Sequence, residues 1–111
     1  MNVSTEINNA ITVARLDGRL DAAAVRSHRD ELKKATEGLD KWMILNMEKV
    51  DFIDSSGLGL IVSLVRNARE KNSDVAISNL SPQAQTLFEL TRMTRIFSIY
   101  TDENAAMEAL S

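Results

Sequence analysis

Val3, Thr5 and Ile7 alternate with polar residues, Asn8-Asn9 offers a tight turn, and Ile11 and Val13 resume the alternation, a pattern that predicts a short β-hairpin. Asp21 then precedes an alanine-rich stretch. In it Val25, Leu32, Ala35 and Leu39 recur at helical spacing, and Gly38 supplies a stop. Trp42-Met43-Ile44-Leu45 is a short, continuous apolar run, as expected of a strand covered on both faces in a partly parallel sheet. A loop from Asp51 to Ser56 leads into a second helix with Leu58, Ile61, Val62 and Val65 on one face, closing near Arg66, Arg69 and Lys71, cations that suit a helix C-terminus. Val75-Ala76-Ile77 reads as a strand. Ser81-Pro82 reads as the cap and first residue of a third helix that turns Ala84, Leu87 and Leu90 inward. Ile96 to Tyr100 forms a last strand, and Asp102 caps a closing helix through Met107 and Leu110.

The resulting order, ββαβαβαβα, predicts a single α/β domain over residues 1–111, with a mixed, largely parallel sheet and four helices. In such sheets functional sites gather in loops beyond the carboxyl ends of the strands. Two early loops qualify, Asp17 to Asp21 and Asp51 to Ser56. If the second and third strands are parallel neighbours, both loops emerge on one rim and Asp21 comes towards Ser55.

Composition narrows the function. Apolar residues at 44% and charged residues at 26% are those of an ordinary globular domain, and the absence of cysteine removes disulfides, thiolate nucleophiles and cysteine-based metal sites. A reducing, cytoplasmic setting is expected. No apolar run approaches the length that spans a bilayer, and Met1 to Glu6 lacks the basic and apolar regions of a signal peptide, so neither membrane insertion nor export by that route is expected. A net charge of -3 argues against a nucleic-acid footprint, which needs clustered cations, and in favour of a protein partner.

An enzyme using Ser55 as nucleophile needs a general base, yet His28 is the only histidine and falls on a predicted helix between Arg26 and Arg29. No motif sets a lysine beside the serine, no G-x-x-x-x-G-K-[ST] phosphate loop is present, and the carboxylates lack ligand spacing. The chain is therefore read as a binding module without catalytic residues, cofactor or metal. Within Asp54-Ser55-Ser56-Gly57-Leu58-Gly59, Ser55 or Ser56 suits a helix N-cap, and Asp54 suits the positive end of the dipole. Gly57 and Gly59 each cost roughly 1 kcal/mol relative to alanine inside a helix, so the bare backbone must admit a close neighbour, from this fold or from a partner. Leu60 and Leu64 lie roughly opposite the predicted inward face; they pack against a neighbouring helix or form a partner-binding patch. Asp21 is an N-cap, a partner contact, or both.

Phe52-Ile53-Asp54-Ser55-Ser56-Gly57-Leu58-Gly59 resembles the signature of the STAS domain of anti-sigma factor antagonists, or anti-anti-sigma factors. Leu16-Asp17-Gly18-Arg19-Leu20-Asp21 is similar to that family's L-x-G-x-L-D strand and loop. Leu45-Asn46-Met47, Leu80-Ser81-Pro82, Leu90-Thr91 and Ile96-Phe97 follow in the family's order. The resemblance covers nearly the whole chain. It implies partner switching: the unphosphorylated antagonist binds an anti-sigma factor that is also a serine kinase, phosphorylation ends binding, and a PP2C-type serine phosphatase restores it.

The family's modified serine maps onto Ser55, with Ser56 the adjacent alternative; the implied contact set is Asp21, Asp54, Ser55, Ser56, Gly57, Leu58, Gly59 and Leu60, on a monomer or weak dimer. STAS domains in stress-signalling scaffolds or membrane transport systems are the competing role. Two departures fall elsewhere: Arg92-Met93-Thr94-Arg95 stands where the family often has a glycine and an aspartate, and Asn72-Ser73 replaces a common glycine turn.

Overall fold

The computed structural model describes residues 1–38 and 41–111, so the predicted inward position of Leu39 lies outside the described residues. Chain order is β1 (Asn2–Asn8), β2 (Ile11–Leu20), α1 (Ala22–Glu37), β3 (Trp42–Ile53), α2 (Ser55–Glu70), β4 (Asp74–Ser78), α3 (Pro82–Leu90), a 3-10 turn (Met93–Arg95), β5 (Ser98–Tyr100) and α4 (Glu103–Leu110). The sheet runs β1-β2-β3-β4-β5 across its width. β1 pairs antiparallel with β2, and every later neighbour is parallel. The predicted α/β class and element order are those observed.

Alternation along the central strands feeds two cores, because successive side chains leave opposite faces of a sheet. Met43, Leu45, Val75 and Ile77 join Leu32 of α1, Leu60, Ile61 and Leu64 of α2, and Phe88 of α3 in the larger core. Ile44, Ala76, Ile11 and Val13 meet Ala106 of α4 in the smaller one. The Met43-Ile44-Leu45 run is fully buried for that reason. Leu60 and Leu64, left open between core and partner patch, are core: both are buried, on a helix packed beside α1.

Several local expectations shift. The hairpin turn centres on Asn9 and Ala10, both at positive φ (53° and 65°), one residue later than Asn8-Asn9. That is the geometry that matches strand twist in a two-residue turn. Ile7 is 73% exposed, on an edge strand beside the hairpin turn. In α3 the expected Ala84 is buried and the expected Leu87 packs partly buried against the larger core, joined by Phe88 one turn from Ala84, while Leu90 stands about 240° around the helix from Ala84 and is 78% exposed. Strand β5 begins at Ser98, not Ile96, because Arg92 adopts the left-handed conformation (φ 61°) and starts the 3-10 turn. Asn72 also lies in the left-handed region (φ 62°), with Ser73 N–H donating to Ala68 O and Asn72 N–H to Arg69 O, so asparagine does there what glycine does in the family turn.

Helix α4 is fastened at its N-terminus by polar contacts to the sheet. Arg15 donates from Nε to Glu103 Oε1 (3.0 Å) and from Nη2 to Oε2 (2.9 Å), and its Nη1 lies 2.8 Å from Glu6. Asn46 Nδ2 donates to Glu103 Oε1 at 2.9 Å. The hydrogen bonds from Arg15, with that from Asn46 added, hold the Glu103 carboxyl below its ordinary pKa against a partial desolvation that works the other way. The same pairing, first with Glu103 and then with Glu6, raises the Arg15 pKa.

Candidate functional site

The rim at the carboxyl ends of β2 and β3 is set by strand register. Leu20 pairs with Ile53 in the parallel β2/β3 ladder, so Asp21 and Asp54 leave the sheet side by side, each as the residue that starts a helix. Asp21 Oδ1 accepts from Ala24 N–H at 3.0 Å, and Asp54 Oδ1 accepts from Gly57 N–H at 3.1 Å. The predicted loop from Asp51 to Ser56 shrinks to Asp54 alone, because pairing with β2 carries β3 through Ile53. The cap of α2 is therefore Asp54 and not Ser55 or Ser56.

That assignment leaves Ser55 as the first residue of α2, exposed, with its hydroxyl in no hydrogen bond among the described residues. Ser56 is half-buried behind it. Gly57 is explained by the fold itself: a Cβ there would lie 2.4 Å from Leu20 O, 2.8 Å from Leu20 Cγ and 3.0 Å from Ile53 Cγ1. The first turn of α2 thus abuts the end of β2. Gly59 differs, since a Cβ at that position would have nothing within 4 Å. It is exposed, one turn along α2 from Ser55, and the approach it permits is from outside.

Of the eight residues expected to form the contact set, Asp21, Asp54, Ser55 and Ser56 share the rim, and Gly59 is exposed beside them. Gly57, Leu58 and Leu60 point inward, Leu60 at 3% exposure, and serve the surface by supporting it. Leu58 and Leu60 turn inward because α2 is covered by the sheet on one side and by α1 on another.

Two further motif residues, Arg19 and Phe52, stand on the rim outside the expected contact set. Arg19 Nε donates to Asp21 Oδ2 at 3.4 Å, and the Arg19 guanidinium carbon lies 4.1 Å from the centre of the Phe52 ring. Register explains the stacking, because Arg19 and Phe52 are paired across β2 and β3. The Arg19 to Asp21 spacing was a signal available in the sequence; the strand pairing was not. The Asp21 carboxyl is held below its usual pKa first by the Ala24 N–H and then by Arg19, against some desolvation.

His28 Nδ1 lies 2.9 Å from Glu31 Oε1 on its own helix. Among the described residues, no three His, Cys, Asp or Glu side chains gather as a metal site, and no helix is long and apolar enough to cross a membrane.

Comparison with known proteins places this arrangement. The STAS domain family model matches residues 2–106, and the chain belongs to that family. An anti-sigma F factor antagonist of Paenibacillus polymyxa is 26% identical over 99% of this chain and 95% of its own. The anti-sigma factor antagonist SpoIIAA in its unphosphorylated form superposes with a TM-score of 0.79, at 27% identity, over 97% of this chain and 96% of its own. The phosphorylated form of SpoIIAA, described as a Bacillus cell fate determinant, gives 0.73 at the same identity, over 97% of this chain and 99% of its own. A sulfate transporter family protein of Wolinella succinogenes shares the fold alone, with a TM-score of 0.78 at 14% identity over 95% of this chain and 88% of its own.

Proposed function

We propose that this STAS domain is a cytoplasmic anti-sigma factor antagonist that acts by partner switching, with Ser55 as the phosphoacceptor. The observation that carries the reading is the division of roles at the start of α2. Asp54 satisfies the orphan Gly57 N–H, so the Ser55 hydroxyl is exposed and free of any capping duty. The likeness to an antagonist of Paenibacillus and to SpoIIAA, which exists in both phosphorylated and unphosphorylated forms, supports the same assignment over nearly the full chain.

In this reading the unphosphorylated rim binds an anti-sigma factor that is also a serine kinase. Phosphorylation adds roughly -1.5 to -2 charges and three acceptor oxygens at Ser55. The positive end of α2 tolerates that charge, so the domain stays folded. A partner seated on the rim meets added bulk and like charge beside Asp54, which can cost several kcal/mol. A penalty of roughly 4 kcal/mol weakens binding about a thousandfold. A PP2C-type phosphatase then returns the domain to its binding form.

Incubation with the purified anti-sigma factor kinase and ATP, followed by phosphopeptide mass spectrometry, is expected to find phosphate on Ser55. Modification confined to Ser56 or to another residue would refute the acceptor assignment. Calorimetry should find Ser55→Asp much weaker than Ser55→Ala towards the same kinase, and equal affinities would refute the blocking mechanism.

A further inference from the structure

Arg19 stands on the rim that carries Ser55, and it is constrained from two sides. Its guanidinium is stacked 4.1 Å from the centre of the Phe52 ring and bonded through Nε to Asp21 Oδ2 at 3.4 Å, yet the side chain remains 60% exposed. Gly57 brings α2 against the end of β2, one residue beyond Arg19, so this clamp is built into the same close contact that seats Ser55. Asp21 Oδ1 accepts from the Ala24 N–H and Oδ2 from Arg19, so each oxygen already serves the fold once. What the rim offers to a partner at this point is therefore an Asp21 carboxylate already bonded within the fold and, beside it, the more exposed Arg19 guanidinium held in place.

A guanidinium carries five N–H donors in a planar fork that matches a carboxylate bidentately. Only Nε of Arg19 is engaged among the described residues, which leaves both Nη groups open to solvent. A side chain already held by a ring and an ion pair loses less rotamer freedom on binding than a loose one, so its contacts convert into affinity more fully. We propose that Arg19 is a specificity-determining contact that takes an Asp or Glu side chain of the anti-sigma partner, with Phe52 and Asp21 positioning it. The proposal rests on the partner-switching reading and adds the chemistry by which one such partner is selected over another: an acid facing this rim is accepted, and a cation there is rejected.

Calorimetry with the purified anti-sigma factor kinase, at two salt concentrations, tests it. Wild type should bind, Arg19→Glu should bind at least about tenfold more weakly, and Arg19→Lys should fall between them because it keeps the charge but loses the fork. The salt dependence should flatten in Arg19→Ala, and an Asp→Lys or Glu→Lys change at the facing acid of the kinase should restore binding to Arg19→Glu. Phe52→Leu, which leaves Arg19 charged but unstacked, should weaken binding about threefold and provides a second route should Arg19→Glu not fold. Wild-type affinity and salt slope in Arg19→Glu, or in both Arg19→Lys and Phe52→Leu should Arg19→Glu not fold, would overturn the proposal while leaving the partner-switching reading intact. Failure of the wild type to bind would overturn both.

Discussion

Replacing Gly57 with alanine puts a methyl carbon 2.4 Å from the carbonyl oxygen of Leu20 and 2.8 Å from Leu20 Cγ. An ordinary carbon-oxygen contact needs roughly 3.2 Å or more, so about 0.8 Å of separation must be found, and the nearest obstacle is backbone that cannot rotate away. Either β2 yields at the residue before Asp21, or the first turn of α2 lifts. Overpacking of this kind costs roughly 1–3 kcal/mol, and alanine returns at most about 1 kcal/mol of helix propensity, less in a first turn. Gly57→Ala should therefore lose about 1–2 kcal/mol, read as a lower urea midpoint at unchanged slope. Gly59→Ala is the control: its added carbon meets nothing within 4 Å, so the variant should keep or gain up to roughly 1 kcal/mol. Both should weaken the anti-sigma partner, the first by moving Ser55 relative to Asp21, the second by occupying the approach to α2. A Gly57→Ala variant as stable as wild type, or a Gly59→Ala variant less stable than Gly57→Ala, would refute the packing account.

The two leucines that resemble each other in sequence should separate in the test tube. Leu64→Ala empties a fully packed site and should cost roughly 2–5 kcal/mol, whereas Leu90→Ser on the exposed side of α3 should stay within about 0.5 kcal/mol of wild type by chemical denaturation; comparable losses would sink the burial assignment. Glu103→Gln should cost about 2 kcal/mol near pH 7, roughly 8 °C in Tm, because it strips the charge from the bonds that fasten α4. Since the Glu103 pKa is lowered by folding, its contribution is fully present above the ordinary value of 4.5 and is lost as pH falls through the lowered one. Thermal melts of wild type and variant should thus run apart at neutral pH and converge in acid, and a gap that stays constant to low pH would count against the ion pair.

The order of elements was legible because each helix carries its own start signal. Asp21, Ser81 with Pro82, and Asp102 all cap the helices expected of them. What was not legible depends on partners distant in sequence. Val50, Phe52 and Ile53 suit a strand, but Asp51 and the capping segment after Ile53 read as loop; pairing with β2, across register shifts after Arg15 and Gly18 that break the period-2 pattern, carries β3 through Ile53. Ala10 and Arg92 at positive φ run against local preference, so the hairpin turn and the start of β5 were each displaced. At the rim, the serine segment gave away the helix start but not which residue caps it, since Asp54, Ser55 and Ser56 are all competent. The space around Gly57 belongs to Leu20, a residue far back in the chain whose proximity only the parallel pairing creates.

That Asp54 does the capping has a consequence for tempo. On the partner-switching proposal, a phosphate on Ser55 would sit on a residue that α2 does not need as its cap, so the cycle would be timed by the modifying enzymes and by partner release rather than by opening of the helix. Nor would the population of open, protease-sensitive molecules then rise with the degree of modification, because the bond from the Gly57 N–H to Asp54 Oδ1 does not involve Ser55. Had Ser55 been the cap, every round of signalling would have drawn on the stability of the domain that carries it.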